Sequence, residues 1–365
     1  MKIKNIFFAA ILVLAGFSCS MEDDAIMNDV EKGIEEATEA YTVLDFGVAF
    51  NEMATKASTT VVPGEDRPAT GDENNDEKKI SEVSVFLLED GKVIGILIPQ
   101  NMNQVSSNSD GSITLKDLKF VTKYKTNRTL EAHVVINGNQ FLKNINIGDA
   151  QSALNQQISG CLSADQLIKY GSTRIVFGKD ITNSYSSPSV AENNPTTILV
   201  KVSHVAARLD FSQFDVTLKG FEGDPTVVFD EAKFVNLQQN GKIVEGDASV
   251  NVKDGAFLNR SNRIGTGWTD MGTAYGYANQ YKQDSEMNTA LYVKFTVDGR
   301  TFEKTYPINP VNGENVTNNV AHTGIKGGYL YDIKVRWTIT PDWGDSTIEF
   351  YTRDWVHNTI PEIVL

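Results

Sequence analysis

The sequence predicts a mainly β chain folded as two antiparallel β-sandwich domains with a few short helices. Apolar residues recur at period two in many short segments. Asp-Gly and Asn-Gly pairs, which favour hairpin turns, bound several of these segments, and long helical patterns are few. At 365 residues the chain has the length of about two ordinary domains. Its 41% hydrophobic and 22% charged residues give a globular balance, not a disordered one.

The first stretch, residues 1–18, reads as a signal peptide. Lys2 and Lys4 precede an apolar run from Ile6 to Phe17, too short to cross a hydrocarbon core of about 30 Å as a helix. The junction Ala15-Gly16-Phe17-Ser18-Cys19 resembles a bacterial lipoprotein cleavage site, with Phe17 where a small residue is usual. Cys19 is therefore the expected acylation site, the alternative being a plain secreted protein cleaved nearby. Residues 19–40 read as an acidic tether.

Strands follow. Leu44, Phe46, Val48 and Phe50 alternate with Val43, Asp45, Gly47 and Ala49. The segment from Thr55 to Lys79 is polar and carries Pro63, Gly64, Pro68 and Gly71, a composition open to proteases. A strand over Ser81–Leu88, a turn at Asp90-Gly91 and a return strand over Val93–Ile98 form a predicted hairpin. Further turns are predicted at Asp110-Gly111 and at Asn137-Gly138, after the strand Ala132–Ile136. Two short helices are predicted next, one over 149–160 and one opened by Ser163 and Gln166 and stopped by Gly171.

A second strand-rich block is predicted from Thr196, dividing the chain into domains at 41–195 and 196–345. It holds Ile198, Val200 and Val202, then Leu209 and Phe211 after a break. A turn at Asn240-Gly241 is flanked by Phe234–Leu237 and Ile243–Val244. The clearest hairpin runs through Leu291, Val293, Phe295 and Val297, turns at Asp298-Gly299, and returns from Phe302 to Ile308. Tyr329, Tyr331, Ile333, Val335, Trp337 and Ile339 mark another strand. Pro341 and Gly344 then set off a last segment, residues 346–365, which need not belong to its own chain's core.

Catalytic material is thin. Asp+Glu is 47 against Lys+Arg 33, a formal charge of −14, which argues against nucleic-acid binding. Four His and two Cys, without zinc-type spacing, predict no metal site, and no cofactor is expected. With Cys19 acylated, Cys161 has no intrachain partner; it reads as a buried small hydrophobe before a nucleophile. His133, inside a strand, reads as structural. Gly265-Thr266-Gly267 lacks the strand and the Lys of a phosphate loop, and no Gly-x-Ser-x-Gly elbow exists. The spacing of the acids singles out no glycosidase pair. The acid run Gly71–Glu77 reads as a solvated loop before a calcium loop. Trp268, Tyr275, Tyr277 and Tyr281 read as loop packing before a sugar-stacking platform.

Several segments, in order, resemble the fimbrillins of Bacteroidales, the subunits of type V pili, particularly the minor-fimbrium type. They are the lipoprotein-like start, with the acidic cluster Ser20-Met21-Glu22-Asp23-Asp24 of a surface-export signal; the strand Leu44–Phe50 followed by Ala54-Thr55-Lys56-Ala57-Ser58; Ile80-Ser81-Glu82-Val83-Ser84-Val85-Phe86; and His133-Val134-Val135-Ile136-Asn137-Gly138. Val202-Ser203-His204-Val205-Ala206-Ala207-Arg208-Leu209 and Gly328-Tyr329-Leu330-Tyr331-Asp332-Ile333 continue the series. Ser346-Thr347-Ile348-Glu349-Phe350-Tyr351-Thr352-Arg353-Asp354-Trp355 closes it, followed by His357 and an apolar end at Leu365.

The resemblance implies transthyretin-like, Greek-key sandwiches and a structural, non-enzymatic role. It implies a lipid anchor in the outer membrane through Cys19, then cleavage between Lys56 and Ala57 by a surface trypsin-like protease. Arg67 is the alternative site, though Pro68 follows it. Cleavage would free the strand carrying Leu44, Phe46, Val48 and Phe50. The emptied groove would take the C-terminal strand of the next subunit, with Ile348, Phe350, Thr352 and Trp355. The partners implied are further copies of the chain in a head-to-tail extracellular fimbria, other fimbrial subunits, and an adhesion ligand on host or bacterial cells. Asp354 stands where the family has Pro, and Lys56 where Arg is commoner. The rivals are a fimbrial tip or anchor subunit, a surface glycan-binding lipoprotein of a polysaccharide-uptake system, and a surface glycosidase.

Overall fold

The computed structural model describes residues 39–50, 76–109, 112–244, 246, 248–259, 263–279, 286–308, 324–342, 344–354 and 362–363. The first half contains β1 (Tyr41–Phe50), β2 (Lys79–Ile80), β3 (Val83–Glu89), β4 (Lys92–Leu97), β5 (Val105–Ser107), β6 (Ile113–Lys123) and β7 (Thr129–Ile136). Helix α1 (Asn139–Leu142), β8 (Gln157–Ser159), β9 (Lys169–Val176), helix α2 (Pro188–Glu192) and β10 (Thr196–His204) complete it. Eight of these strands run in the order β4-β3-β7-β9-β10-β1-β6-β5. Strand β10 is the corner. It pairs with β9 only through Ser203 and His204, and with β1 through Thr196 to Val202. The path thus bends into two layers, with Phe46, Val48, Leu115, Val85, Val134 and Val200 among the side chains buried between them.

The second half contains β11 (Ala207–Leu218), β12 (Val227–Val235), β13 (Leu237–Gln238), β14 (Asn240–Lys242), β15 (Val252–Lys253), β16 (Phe257–Asn259), β17 (Arg263–Ile264) and β18 (Gly267–Gly276). After these come β19 (Ala290–Val297), β20 (Arg300–Pro307), β21 (Tyr329–Ile339), β22 (Gly344–Asp354) and β23 (Glu362–Ile363). One sheet runs β18-β11-β21-β22. The facing one runs β16-β12-β19-β20, with β17 added on β12. Between them Phe214 lies 5.4 Å from Phe229, 5.3 Å from Trp268 and 5.3 Å from Phe295, centroid to centroid. Phe295 in turn meets Trp337 edge-on at 5.1 Å. Offset and edge-to-face rings add attraction beyond their buried area.

A third cluster joins the halves. Phe86 and Val135, on the outer faces of β3 and β7, pack with Ile158, Ile243, Tyr277 and Leu330. Strand β8 pairs antiparallel with β14, so a short ladder also crosses between the halves.

The mainly β, sandwich-type architecture is the predicted one, and the Asp-Gly hairpins are present. Asp90 and Gly91 both have positive φ (48° and 71°), as do Asp298 and Gly299 (46° and 82°), the geometry that matches strand twist in a two-residue turn. Four expectations are corrected. Thr196–His204 belongs to the first sheet, so the strand break falls at Val205-Ala206 and not at 196. The sheets are not purely antiparallel: β1 runs parallel to β10, and β11 to β21. The two predicted helices shrink to 3-10 turns at Gln151–Leu154 and Ala164–Gln166. Asn240-Gly241 is strand, not turn. Tyr277 explains the glycine there: a Cβ at Gly241 would sit 2.5 Å from its ring. The predicted turn at Asp110-Gly111 lies outside the described residues.

Gly171, read as a helix stop, lies inside β9, where a Cβ would stand 1.8 Å from the Lys201 carbonyl oxygen of β10. The corner between the layers closes only around a residue without a side chain. Gly171→Ala is expected to cost about 3 kcal/mol, the upper part of the range for overpacking. Urea denaturation monitored by tryptophan fluorescence checks this.

Candidate functional site

Strand β1 is the candidate site because of where its alternation puts it. Leu44, Phe46 and Val48 are 0% exposed and Phe50 4%, all in the core of the first sandwich. Backbone groups pair on both sides: with β10 in parallel from Leu44↔Thr196 to Phe50↔Val202, and with β6 antiparallel from Tyr41↔Lys123 to Val48↔Ile113. A strand near the chain start thus fills the middle of a sheet.

The β1–β6 ladder breaks at Asp45, where the register shifts. The Asp45 carboxylate accepts a hydrogen bond from the Phe46 N–H at 2.9 Å. Burial raises its pKa, opposed by that bond and by Lys119. The extra residues are on β6, where 116–119 stand opposite Asp45; β1 pairs unbroken with β10 from Leu44 to Phe50, and only its β6 ladder is divided, into a first part at Tyr41–Leu44 and a second at Phe46–Val48. Gly47 sits in the second part, where a Cβ would meet the Ile113 carbonyl and a Leu199 methyl, each at 3.2 Å.

The first part is covered from outside. Val43 points away from the core, yet it is 0% exposed. Helix α2 packs against both β1 and β6 there, with Ala191 also fully buried. Tyr185 and Tyr41 exchange two backbone hydrogen bonds, each 2.8 Å. On the far side of β1, Lys119 of β6 donates from Nζ to the Glu192 carbonyl at the end of α2, at 2.9 Å. At the strand's start, Glu39 pairs with Lys123, which lowers the Glu39 pKa.

Beyond the segment that follows β1, the chain is pinned by Glu77. This residue was expected in a solvated acid run, but it is 0% exposed. Arg208 of β11 holds its Oε2 from Nη1 at 3.0 Å, and the Tyr275 hydroxyl of β18 donates to Oε1. Lys169 Nζ donates to the Glu77 carbonyl at 2.8 Å, and Arg208 also binds Asp210 at 3.0 Å. Burial with the neighbouring Glu77 carboxylate pushes the Tyr275 pKa far up, so the phenol stays a donor. The network ties the chain just before β2 to two strands of the second half.

The C-terminal segment is not separate from its own chain. Strand β22 pairs with β21 without a break, from Gly344↔Ile339 to Asp354↔Tyr329, so Ile348, Phe350 and Thr352 lie in an edge strand. Pro341 and Gly344 turn a hairpin there instead of detaching the segment. Strand β23 then pairs in parallel with β2. Cys19, Lys56, Ala57, Arg67 and Trp355 lie outside the described residues.

The other candidates resolve as core. Trp268 stacks in the second sandwich, and Tyr277, 1% exposed, donates to the Gly160 carbonyl at 2.7 Å. The sugar-platform reading fails for both, and Tyr281 lies outside the described residues. His133 is buried with Nδ1 2.7 Å from the Tyr170 hydroxyl, and burial lowers its pKa. Cys161 is half-buried, with Gln140 Nε2 3.1 Å from Sγ, and burial raises its pKa. Among the described residues no group of three or more His, Cys, Asp or Glu could hold a metal, and no helix is long and apolar enough to cross a membrane.

A β chain of this fold has counterparts among solved structures. A candidate cell adhesion protein from Parabacteroides distasonis superposes with TM-score 0.58 at 17% identity, over 88% of this chain and 99% of that one. A second candidate cell adhesion protein from the same organism gives 0.50 at 12% identity, over 87% and 100%. These two establish a shared fold along nearly the whole of their length. A fimbrilin from Porphyromonas gingivalis is also similar, with TM-score 0.48 and 14% identity, over 87% and 98%. These solved structures are fimbrial and candidate adhesion proteins of Bacteroidales. No family model matches the chain, and no curated protein matches it in sequence.

Two outcomes test this geometry. Asp45→Asn keeps the acceptor for Phe46 and removes a charge whose pKa the fold raises. A raised folded pKa means that the wild type gains stability relative to the variant as pH falls. Asp45→Asn should therefore melt higher at pH 7, with the two melting temperatures converging in acid; calorimetry from pH 7 to 3 checks it. Glu77→Ala removes one of the two carboxylates on Arg208 and the acceptor of the Tyr275 hydroxyl and should cost about 2–3 kcal/mol, whereas Glu77→Gln with Arg208→Met, which removes both charges of that pair, should recover part of the loss. Urea midpoints of the two single variants and the double variant measure the coupling.

Proposed function

We propose that the chain is a structural subunit of surface fimbriae, exported as a lipoprotein through Cys19 and polymerised by protease-triggered exchange of β1. The placement of β1 carries the reading. Four core side chains and two ladders hold a strand joined onward only through a polar, Pro- and Gly-bearing segment that contains Lys56 and Arg67. One cut there would leave β1 bound by non-covalent contacts alone. The family resemblance along the sequence, and the fold shared with candidate adhesion proteins, support the same role at the cell surface, with no catalysis required.

The energetics favour displacement over vacancy. Burying Leu44, Phe46, Val48 and Phe50 is worth about 6–12 kcal/mol, counting ~1.5–3 for each large side chain. That is the size of a whole domain's stability. An empty groove would also expose unpaired backbone along β10 and β6. Cut β1 therefore stays in place until another strand enters. The C-terminal segment of the next subunit, Ile348, Phe350, Thr352 and Trp355 included, is the proposed replacement. Its strand β22 leaves an edge position, where among the described residues its backbone ladder is with β21 on one side, for a central one with partners on both sides. A head-to-tail contact of this kind does not close on itself and grows a filament.

Electron microscopy after limited trypsin treatment should show filaments whose subunits begin at Ala57. The chain lacking 346–365 should remain folded by circular dichroism, with β21 as the new edge, and give only monomers. Ladders from that truncated chain would overturn the donor assignment. Polymers whose subunits begin at Cys19 or Ser20 would overturn cleavage and favour an anchor subunit.

A further inference from the structure

A cavity of about 810 Å³ opens where the two halves meet. Strands β9 and β10 wall it on one side. Strands β13 and β14, the chain after β14, and Lys326-Gly327 wall it on the other. Its shape is set by backbone lying on backbone. A Cβ at Gly171 would stand 1.8 Å from the Lys201 carbonyl oxygen, and one at Gly327 would stand 2.1 Å from that of Val205. On the second side Asn279 and Ile325 exchange two backbone hydrogen bonds, at 2.9 and 3.1 Å. Walls of this kind do not shift with a rotamer, so the cavity is preformed. Preformed hollows of roughly 300–1,000 Å³ between structural units are where small ligands bind.

The charge of the cavity runs against that of the chain. The protein has a formal charge of −14. Yet Lys201 of β10, Lys242 of β14 and Lys326 all line the hollow, and among the described residues no Asp or Glu does. Elsewhere lysines find acids, as Lys79 finds Asp76 and Lys233 finds Asp254. Among the described residues these three form no ion pair. Lys242 Nζ reaches the Asn155 carbonyl at 3.4 Å, and Lys326 Nζ lies 5.6 Å from the Tyr329 ring centroid. Three cations from three separate elements around one hollow focus a positive field there.

The same cavity carries an unmet acceptor. Asn279 lines it and is 2% exposed. Its Nδ2 donates to the Asn236 and Met287 carbonyls and to the Thr289 hydroxyl, while its Oδ1 is buried without a hydrogen-bond partner. An acceptor left so costs about 1–3 kcal/mol, and a ligand that brings a donor recovers it. A fitting ligand therefore carries negative charge and donors together. Inorganic phosphate or sulfate brings the charge with few donors or none. An extended peptide would seek a strand edge, and β10 is already paired on its two flanks, by β9 and β1. A sugar acid has a carboxylate with hydroxyl or acetamido donors on the same ring.

We infer that this cavity binds an acidic saccharide, with the carboxylate among Lys201, Lys242 and Lys326 and the ring's donors turned to Asn279 and its neighbours. The inference names a place and a chemical class for an adhesion ligand, and it does not depend on strand exchange.

Isothermal titration calorimetry on the full uncleaved chain tests it, so a failure of polymerisation would not touch the result. The probes are tetragalacturonate, its methyl ester, sialyllactose and polyglutamate. At least one of the two acidic sugars should bind, more weakly as salt rises. The methyl ester should bind about tenfold more weakly than the acid, the size of one lost charge-assisted hydrogen bond. Lys201→Gln with Lys326→Gln should weaken binding by about tenfold or more at an unchanged melting temperature, because both side chains are exposed. Lys143→Gln, exposed and outside the cavity, should bind as wild type does. Binding of neither acidic sugar would overturn the inference, as would equal affinity for the ester. Polyglutamate binding as tightly as the sugars would replace the saccharide with an acidic peptide. Unchanged affinity in the double lysine variant would remove the site from this cavity.

Discussion

The first sandwich depends on one strand satisfying two edges at once. Strands β10 and β6 have no ladder with each other; each finishes its pairing on β1. Without that strand the eight-stranded path falls into two pieces, and the side chains of β3, β7 and β10 lose the inner face they pack against. Local details serve this placement. The register shift opposite Asp45 is taken up by the extra residues of β6, so β1 keeps an unbroken ladder with β10, and Gly47 admits the Ile113 carbonyl and Leu199. Helix α2 shields Val43, the largest aliphatic side chain that the alternation sends outward.

The two sandwiches are coupled by chemistry as well as packing. Glu77 is a carboxylate with no exposed surface, held by a guanidinium and a phenol from the other half. Such a group is costly unless paired, so a geometry between the halves that parts Glu77 from Arg208 and Tyr275 is penalised. The apolar cluster around Phe86, Val135 and Tyr277 supplies the area, while Glu77 supplies the register. Because Glu77 comes just before β2, the chain after the proposed cut is fastened at once to β11 and β18.

Strand alternation was legible wherever one face is buried and the other wet. Leu44–Phe50, Leu291–Val297 and Tyr329–Ile339 could be read directly from period two, and the Asp-Gly hairpins from their need for positive φ. Long-range requirements were not legible. Gly171 and Gly241 look like stops and turns locally; only the carbonyl of Lys201 and the ring of Tyr277 reveal that they are close-approach sites inside strands. Strand β18 carries Gly, Thr and Tyr in a loop-like composition, and its partner β11 makes it a strand. Glu77 sat in an acid run that reads as solvated, because its partners lie more than a hundred residues away. Of the candidate site, the inward face of β1 was legible. The cover that α2 and Tyr185 lay over β1 was not, because Tyr185 and Ala191 carry no pattern until the sheet places β1 beneath them.

Strands β10 and β11 are separated by only Val205 and Ala206, yet they lie in different sandwiches. The halves therefore share a backbone spine in place of a linker. A pull applied along the molecule travels through covalent bonds from β10 into β11. The ladders on either side, to β1 in one half and β21 in the other, are then loaded in shear, so many hydrogen bonds must fail together and not one after another. A chain arranged this way resists stretching without a disulfide, and its weakest direction is sideways peeling of the edge strands, β22 among them.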